Sequence, residues 1–257
     1  MHVVRPPQPL PLDTDLYLGR ISAATSIQRG YVDAQRYLAN ATEHGDPLTP
    51  ETLMTTAAVP GISFKETMQG SFSLDATEPE AGAAAGKKAG TSLAIHVTVT
   101  VRDLDRFVKD PDHNGSLLGT IDFPPLAMAM PTGEGVFKLF APTDAAKTTL
   151  MVYELPFTHA GKNYYLAGAK KVHDDAGFDL WSDTTTLYTR LFEGNDSTGA
   201  VVGAGVLRLN AAAFAQVSAS VRAVDASSPV EAARLIAQFS AFFAGELWKS
   251  YVRNPFT

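Results

Sequence analysis

Apolar and polar side chains alternate along the segment from Leu93 to Val101. Ile95, Val97, Val99 and Val101 fall on one face, and His96, Thr98 and Thr100 on the other. A period of two marks a strand with one buried side. The same alternation appears at Ile62-Ser63-Phe64 and at Gly70-Ser71-Phe72-Ser73-Leu74, and similar patterns predict strands over 117–123, 135–141, 148–157, 163–173, 184–192 and 200–209. The links between them carry turn chemistry: Asp112-His113-Asn114-Gly115, His159-Ala160-Gly161, Asp174-Asp175-Ala176-Gly177 and Gly194-Asn195-Asp196. Connections this short make neighbouring strands antiparallel.

Elsewhere the period lengthens. Leu16, Ile21, Ala24, Ile27, Tyr31 and Leu38 predict a helix over 13–40, behind an arm that holds four of the 16 prolines within residues 1–12. Near the C-terminus, Ser228-Pro229-Val230-Glu231 reads as a helix start, with serine as cap, proline in the first turn and glutamate three residues on. Ala232, Ile236, Phe239, Phe243, Leu247 and Tyr251 then form an apolar stripe at helical spacing. A shorter helix is expected over 211–221 with Asn210 as its cap. Residues 76–90, with six alanines and three glycines, read as a flexible hairpin insertion.

These elements predict a mainly β protein with flanking helices. The expected core is an antiparallel β-barrel, lipocalin-like or similar, with a β-sandwich as the alternative. Three regions follow: a proline-rich arm and helix over 1–60, the barrel over 61–210, and C-terminal helices packed on it over 211–257.

Composition narrows the function classes. The net charge of −6, with no basic cluster beyond pairs such as Lys87-Lys88 and Lys170-Lys171, argues against nucleic acid as a partner. The absence of cysteine excludes disulfides, thiolate metal sites and cysteine nucleophiles, and fits a cytoplasmic setting. No apolar run is long enough to span a membrane as a helix, and none follows the N-terminus as a signal sequence would.

Several clusters could carry chemistry. Asp103, Asp105, Asp110 and Asp112, and again Asp174, Asp175, Asp179 and Asp183, have the oxygen ligands that calcium prefers, but aspartate is also the ordinary turn former and helix cap, and no EF-hand spacing is present. His96, His113, His159 and His173 lie on or beside strands without any metal-ligand spacing. The expected metal is therefore none, and the expected cofactor none. The glycine-rich run Gly199-Ala200-Val201-Val202-Gly203-Ala204-Gly205 lacks the order of a dinucleotide loop and continues as a strand, so it reads as a place where another backbone or a helix approaches closely. Thr184-Thr185-Thr186 suits a strand, as a surface ladder or a row lining a cavity.

The stretches Phe64-Lys65-Glu66-Thr67-Met68-Gln69-Gly70, Asp103-Leu104-Asp105-Arg106-Phe107, Gly135-Val136-Phe137-Lys138-Leu139-Phe140 and Tyr164-Tyr165-Leu166-Ala167-Gly168 with Lys170, continued by Asp174-Asp175, Asp179-Leu180-Trp181, Asp183-Thr184-Thr185-Thr186-Leu187-Tyr188 and Phe242-Phe243-Ala244-Gly245-Glu246-Leu247-Trp248, carry a resemblance. Together they resemble an accessory module found in multidomain bacterial chains that contain cholesterol-oxidase-like oxidoreductases of the glucose–methanol–choline class. The resemblance covers about residues 61–251 and implies a setting near sterols or other lipids, with no catalytic residues attached to it.

The leading expectation is a barrel that binds a hydrophobic small molecule, a sterol or a fatty acyl chain, as an accessory or carrier protein. The expected lining is Ile95, Val97, Val99, Phe137, Met151, Tyr153 and Tyr165. The rival is a small-barrel isomerase or cyclase acting on an apolar substrate, with His96, Tyr153, Tyr165 and Asp183 as acid–base candidates. A structural or interaction protein is the third reading. Beside the small molecule, two partners stay open: a second copy of the chain, or a flavoenzyme.

Overall fold

The computed structural model describes residues 59–252 apart from 145–147 and 174–183, together with Tyr31, Ala34 and Gln35. The chain divides into two compact units, Met1–Val59 and Pro60–Thr257. In the first, Tyr31, Ala34 and Gln35 are helical; the rest of the helix expected over 13–40 lies outside the described residues.

The second unit is a closed antiparallel barrel of eight strands. Its staves are β1 (Gly61–Leu74), β2 (Ser92–Val101), β3 (Asn114–Phe123), β5 (Gly135–Pro142), β6 (Thr148–His159), β7 (Lys162–His173), β8 (Thr186–Glu193) and β9 (Ala200–Arg208). They follow one another in chain order around the barrel, and β9 returns to pair with β1. Two short strands complete the sheet. β4 (Ala127–Pro131) pairs with the second half of β3, and β10 (Arg222–Val224) pairs with the start of β1.

β3 changes partner along its length. Asn114 to Leu117 pair with β5, whereas Thr120 to Phe123 pair with β4. At the split, Gly119 N–H donates to the buried Thr132 hydroxyl at 3.0 Å, and Thr132 N–H donates to the Gly119 carbonyl at 3.0 Å. The backbone groups that leave the ladder therefore keep partners. The β6–β7 hairpin turns on Ala160-Gly161, both at positive φ (49° and 76°), the geometry a two-residue hairpin requires.

The register decides which side chains fill the lumen. Cross-strand partners share a face, so the pairings Phe64↔Val99, Glu66↔Val97 and Met68↔Ile95 put these six side chains on the inner side. Continuing round the barrel, Leu117, Ile121, Phe137, Tyr153, Leu155, Leu166, Leu187 and Leu191 point the same way, and all are buried.

Among the described residues, four helices flank the sheet: α1 (Pro79–Ala89), α2 (Leu104–Lys109), α3 (Ala211–Ser220) and α4 (Pro229–Val252). Asp103 caps α2 by accepting from Arg106 N–H at 2.9 Å, and Asn210 caps α3 by accepting from Ala213 N–H at 2.8 Å. Ser228 accepts from Glu231 N–H at 3.1 Å, while the Glu231 carboxylate takes the N–H and hydroxyl of Ser227, each at 2.6 Å. That reciprocal pattern is a capping box shifted by one residue. Along α4, Leu235 and Phe239 are buried. Phe239 lies 5.8 Å from the inward ring of Phe64 and 6.4 Å from Phe107, and Phe243 lies 5.6 Å from Phe140. Side chains beyond Glu246, including Leu247 and Tyr251, lie outside the described residues.

Residues 76–90 are not a flexible insertion. They hold α1, which starts at Pro79 and ends on Gly90 in the left-handed conformation at φ 71°. The small side chains are what let this helix dock. A Cβ on Gly82 would collide with the Ala204 carbonyl of β9, and one on Gly86 would stand 2.5 Å from the backbone N and O of Phe72. Arg190 on β8 ties down the helix start, through the Thr77 carbonyl at 2.9 Å and the Glu78 carboxylate at 2.7 Å.

Gly82→Ala tests this docking by its sign. In an exposed helix the change stabilises by about 0.5–1 kcal/mol. Here the new methyl meets a backbone carbonyl that cannot rotate away, and overpacking of this kind costs about 1–3 kcal/mol. The variant should therefore melt below the wild type in a thermal unfolding experiment.

Candidate functional site

Among the described residues, the barrel interior brings two charged side chains together with a tyrosine. Glu66 on β1, Tyr153 on β6 and Lys170 on β7 all occupy inward positions of their strands, and all three are buried. Tyr153 and Lys170 come from one hairpin. Glu66 reaches them from the strand that closes the barrel, so the group spans the lumen. Lys170 Nζ donates to Glu66 Oε1 at 2.7 Å and to the Tyr153 hydroxyl oxygen at 3.0 Å. The Tyr153 hydroxyl in turn donates to Glu66 Oε2 at 2.8 Å. Lys170 Nζ also lies 4.7 Å from the centre of the Tyr153 ring. Each member bonds to the other two, which is how a buried charge avoids its full desolvation cost. An ammonium carries three N–H donors, and these bonds use two.

Burial, first, and then the neighbouring Glu66 carboxylate push the Tyr153 phenol well above its usual 10.0. The phenol therefore stays protonated at neutral pH and acts as a hydrogen-bond donor and a weak acid. The triangle thus combines an amine, a carboxylate and a proton-bearing phenol within hydrogen-bond reach, the set of groups used in carbonyl and proton-transfer chemistry.

The surroundings are apolar. The Phe137 ring meets Tyr153 edge-on at 5.3 Å, Phe64 meets Phe137 at 6.1 Å, and α4 adds Phe239 above Phe64. Farther along the lumen, Phe72 meets Phe123 at 5.3 Å. Phe72 fits because β9 carries glycines beside it. A Cβ on Gly203 or Gly205 would come within 2.8 or 2.5 Å of this residue and its neighbours. The glycine-rich run is thus a close-approach surface, with Phe72 on its inner side and α1 against Ala204.

The other expected site residues divide between the two faces. Ile95, Val97, Val99, Phe137, Met151 and Tyr153 all belong to the buried core. Tyr165 does not face the lumen. It pairs with Pro156 and sits between the inward positions of Tyr164 and Leu166, so its side chain lies on the outer wall, where its hydroxyl donates to Glu154 Oε2 at 2.8 Å. His96 is likewise on the outside of β2, partly exposed, 3.1 Å from the Thr67 hydroxyl and 3.2 Å from Asp122 Oδ2. Neither approaches Tyr153 as an acid–base partner. Asp183 lies outside the described residues, as do Asp174, Asp175 and Asp179.

The first aspartate cluster has structural partners. Asp103 caps α2, Asp105 accepts from Gln238 at 2.8 Å, Asp110 accepts from Asp112 N–H and from the Asn114 amide, and Asp112 pairs with Lys138 at 2.9 Å. The Asn114 side chain, with smaller contributions from its neighbours, holds the Asp110 carboxyl below the ordinary range. His113 is buried at φ 46°, with Nδ1 2.7 Å from the Phe107 carbonyl and its ring 4.7 Å from Phe242. Among the described residues, no three His, Asp or Glu side chains gather as a metal-binding group, and no helix is long and apolar enough to cross a membrane. Outside the barrel, a cleft of about 260 Å³ is lined by Arg102, Arg106, Asp103, Asp110, Glu134 and Thr100, and Arg102 pairs with Glu134 across it at 2.7 Å.

Comparison of the chain with family models, with curated proteins and with solved structures finds no match.

Glu66 and Lys170 were not among the residues expected to form a site. A signal for them exists in the pattern. Each is a charge on the apolar face of a strand, in the rows Ile62, Phe64, Glu66, Met68 and Leu166, Gly168, Lys170, Val172, and the two charges have opposite sign.

Two outcomes follow. Glu66→Leu alone strands a buried ammonium and should destabilise the fold by about 3–5 kcal/mol. The triple variant Glu66→Leu, Tyr153→Phe, Lys170→Met removes every partner at once and should recover most of that loss in chemical denaturation. The raised phenol also sets an alkaline limit. Stability from keeping Tyr153 protonated is fully present below its unfolded value near 10 and is lost as pH rises above it. Melting temperatures across about pH 9 to 11 should fall more steeply for the wild type than for Tyr153→Phe.

Proposed function

We propose that the barrel binds one apolar small molecule in its lumen and grips that molecule's polar group with Glu66, Tyr153 and Lys170. The observation that carries this reading is a hydrogen-bonded ion pair spanning a mostly apolar interior. Replacing such a pair with well-packed hydrophobic side chains is often neutral or stabilising, so its cost to the fold asks for a return in function. Ligand sites of this kind are mostly apolar, with a few polar groups that fix orientation. Ile95, Val97, Val99, Phe137 and Met151 supply the apolar wall, which suits a molecule of the sterol or fatty acyl class. The resemblance to an accessory module of flavoenzyme chains agrees with that class. On this reading the chain is an accessory or carrier protein of a bacterial cytoplasm, serving a flavoenzyme or acting as a pair of its own copies.

A second reading has one observation in its favour. Tyr153 holds its proton beside an amine and a carboxylate, as the general acid of an isomerase or cyclase would. The substrate would occupy the same lumen, and the ligand test serves both readings.

Native mass spectrometry of the purified chain, mixed with cholesterol, oleate or decanol, gives the test. One ligand per chain is expected. Its affinity should fall at least about tenfold, or 1.4 kcal/mol, in the triple apolar variant described above. Failure to retain any of the three, or retention that the triple variant leaves unchanged, overturns the proposal.

A further inference from the structure

We infer that Lys170 forms a Schiff base with the carbonyl group of an apolar aldehyde or ketone, which makes the lumen a covalent, reversible site for carbonyl compounds. The inference rests on the lumen-binding reading and deepens it. A lysine at this position needs a reason. Where a buried carboxylate only has to be paired, the planar fork of arginine does so with two parallel bonds, whereas the lysine amine is the group that condenses with carbonyls. Lys170 also has the two helpers this reaction requires. Glu66 Oε1 lies 2.7 Å from its nitrogen, and the Tyr153 hydroxyl lies 3.0 Å from it.

The atoms balance without any further reagent. The Lys170 ammonium passes a proton to Glu66, which frees the nitrogen lone pair. The nitrogen attacks the carbonyl carbon, so an N–C bond forms as the C=O π pair moves onto oxygen. That oxygen takes a proton from Tyr153, and Tyr153 recovers one from Glu66 through the existing 2.8 Å hydrogen bond. The resulting carbinolamine loses its hydroxyl as water after a second proton leaves the nitrogen by the same route, and C=N forms. The sum is R–NH₃⁺ + O=C giving R–NH⁺=C + H₂O. The positive iminium nitrogen replaces the ammonium beside Glu66, so the ion pair survives the reaction. The wall formed by Phe64, Phe137 and Met151 selects an apolar chain on the carbonyl carbon. A mostly apolar lumen disfavours water, which is what reverses an imine, and so favours the product.

The full chain incubated with one equivalent of decanal, reduced with sodium cyanoborohydride and mapped by peptide mass spectrometry tests the assignment. One decyl group on Lys170 is expected, ahead of exposed lysines such as Lys65, Lys87 and Lys162. Tyr153→Phe should slow labelling at Lys170 about 100-fold, the usual size of a general-acid contribution. Label spread over exposed lysines with Lys170 unmodified overturns the inference, and because that readout is on the wild type, it does not depend on any variant folding. Decanol separates the two proposals. If decanol binds and Lys170 takes no label from decanal, lumen binding stands and the Schiff base falls. If decanol does not bind either, the Schiff base falls, and lumen binding falls with it when cholesterol and oleate also fail to bind.

Discussion

The barrel closes where β1 meets β9, and that seam depends on what its residues lack. Phe72 on β1 pairs with Gly205 and turns its ring into the lumen over Gly203 and Gly205. On the opposite side, Gly82 and Gly86 of α1 press against Ala204 and Phe72 at backbone distance. A side chain on any of these glycines would push ring, strand or helix away and leave two open sheet edges. With the seam closed, each of the eight staves has two neighbours and side chains alternate inward and outward around the whole ring. That alternation turns Glu66, Tyr153 and Lys170 toward one another.

Much of this was legible in the chain because strands with one buried face write a period of two. The expected strands over 117–123, 148–157, 163–173 and 200–209 fall within a few residues of β3, β6, β7 and β9. The two short alternations at 62–64 and 70–74 prove to be one continuous strand, β1, with Glu66 hidden in the gap between them. β4 and β10 left no signal. β4 is five residues long, ends in proline, and takes its meaning from the half of β3 it covers. α1 was misread for a physical reason. Alanine and glycine in a row carry little apolar surface, so on composition they offset little ordering entropy. What holds the helix is the close approach its small residues permit, and that depends on a surface formed by β1 together with β9, which is more than 100 residues away.

The site was harder to read than the fold. Tyr164 and Tyr165 are adjacent, and a one-residue change of register would exchange their faces. The tight turn at Ala160-Gly161 fixes the register, turning Leu166 and Lys170 inward and Tyr165 outward. Glu66 and Lys170 are 104 positions apart. No local spacing links them, and only the closed ring brings them together. A charge on an apolar face is ambiguous until its partner is found.

The aromatic end of the barrel gives the triad its second constraint. Rings run in contact from Phe239 on α4 through Phe64 and Phe137 to Tyr153, at 5.8, 6.1 and 5.3 Å. Edge-to-face and tilted contacts of this kind each add about 0.5–1.5 kcal/mol beyond simple burial. They hold the Tyr153 ring, and with it the phenol that bonds to both charged partners. α4 thus does more than cover apolar surface, because its Phe239 ring heads the stack that positions Tyr153.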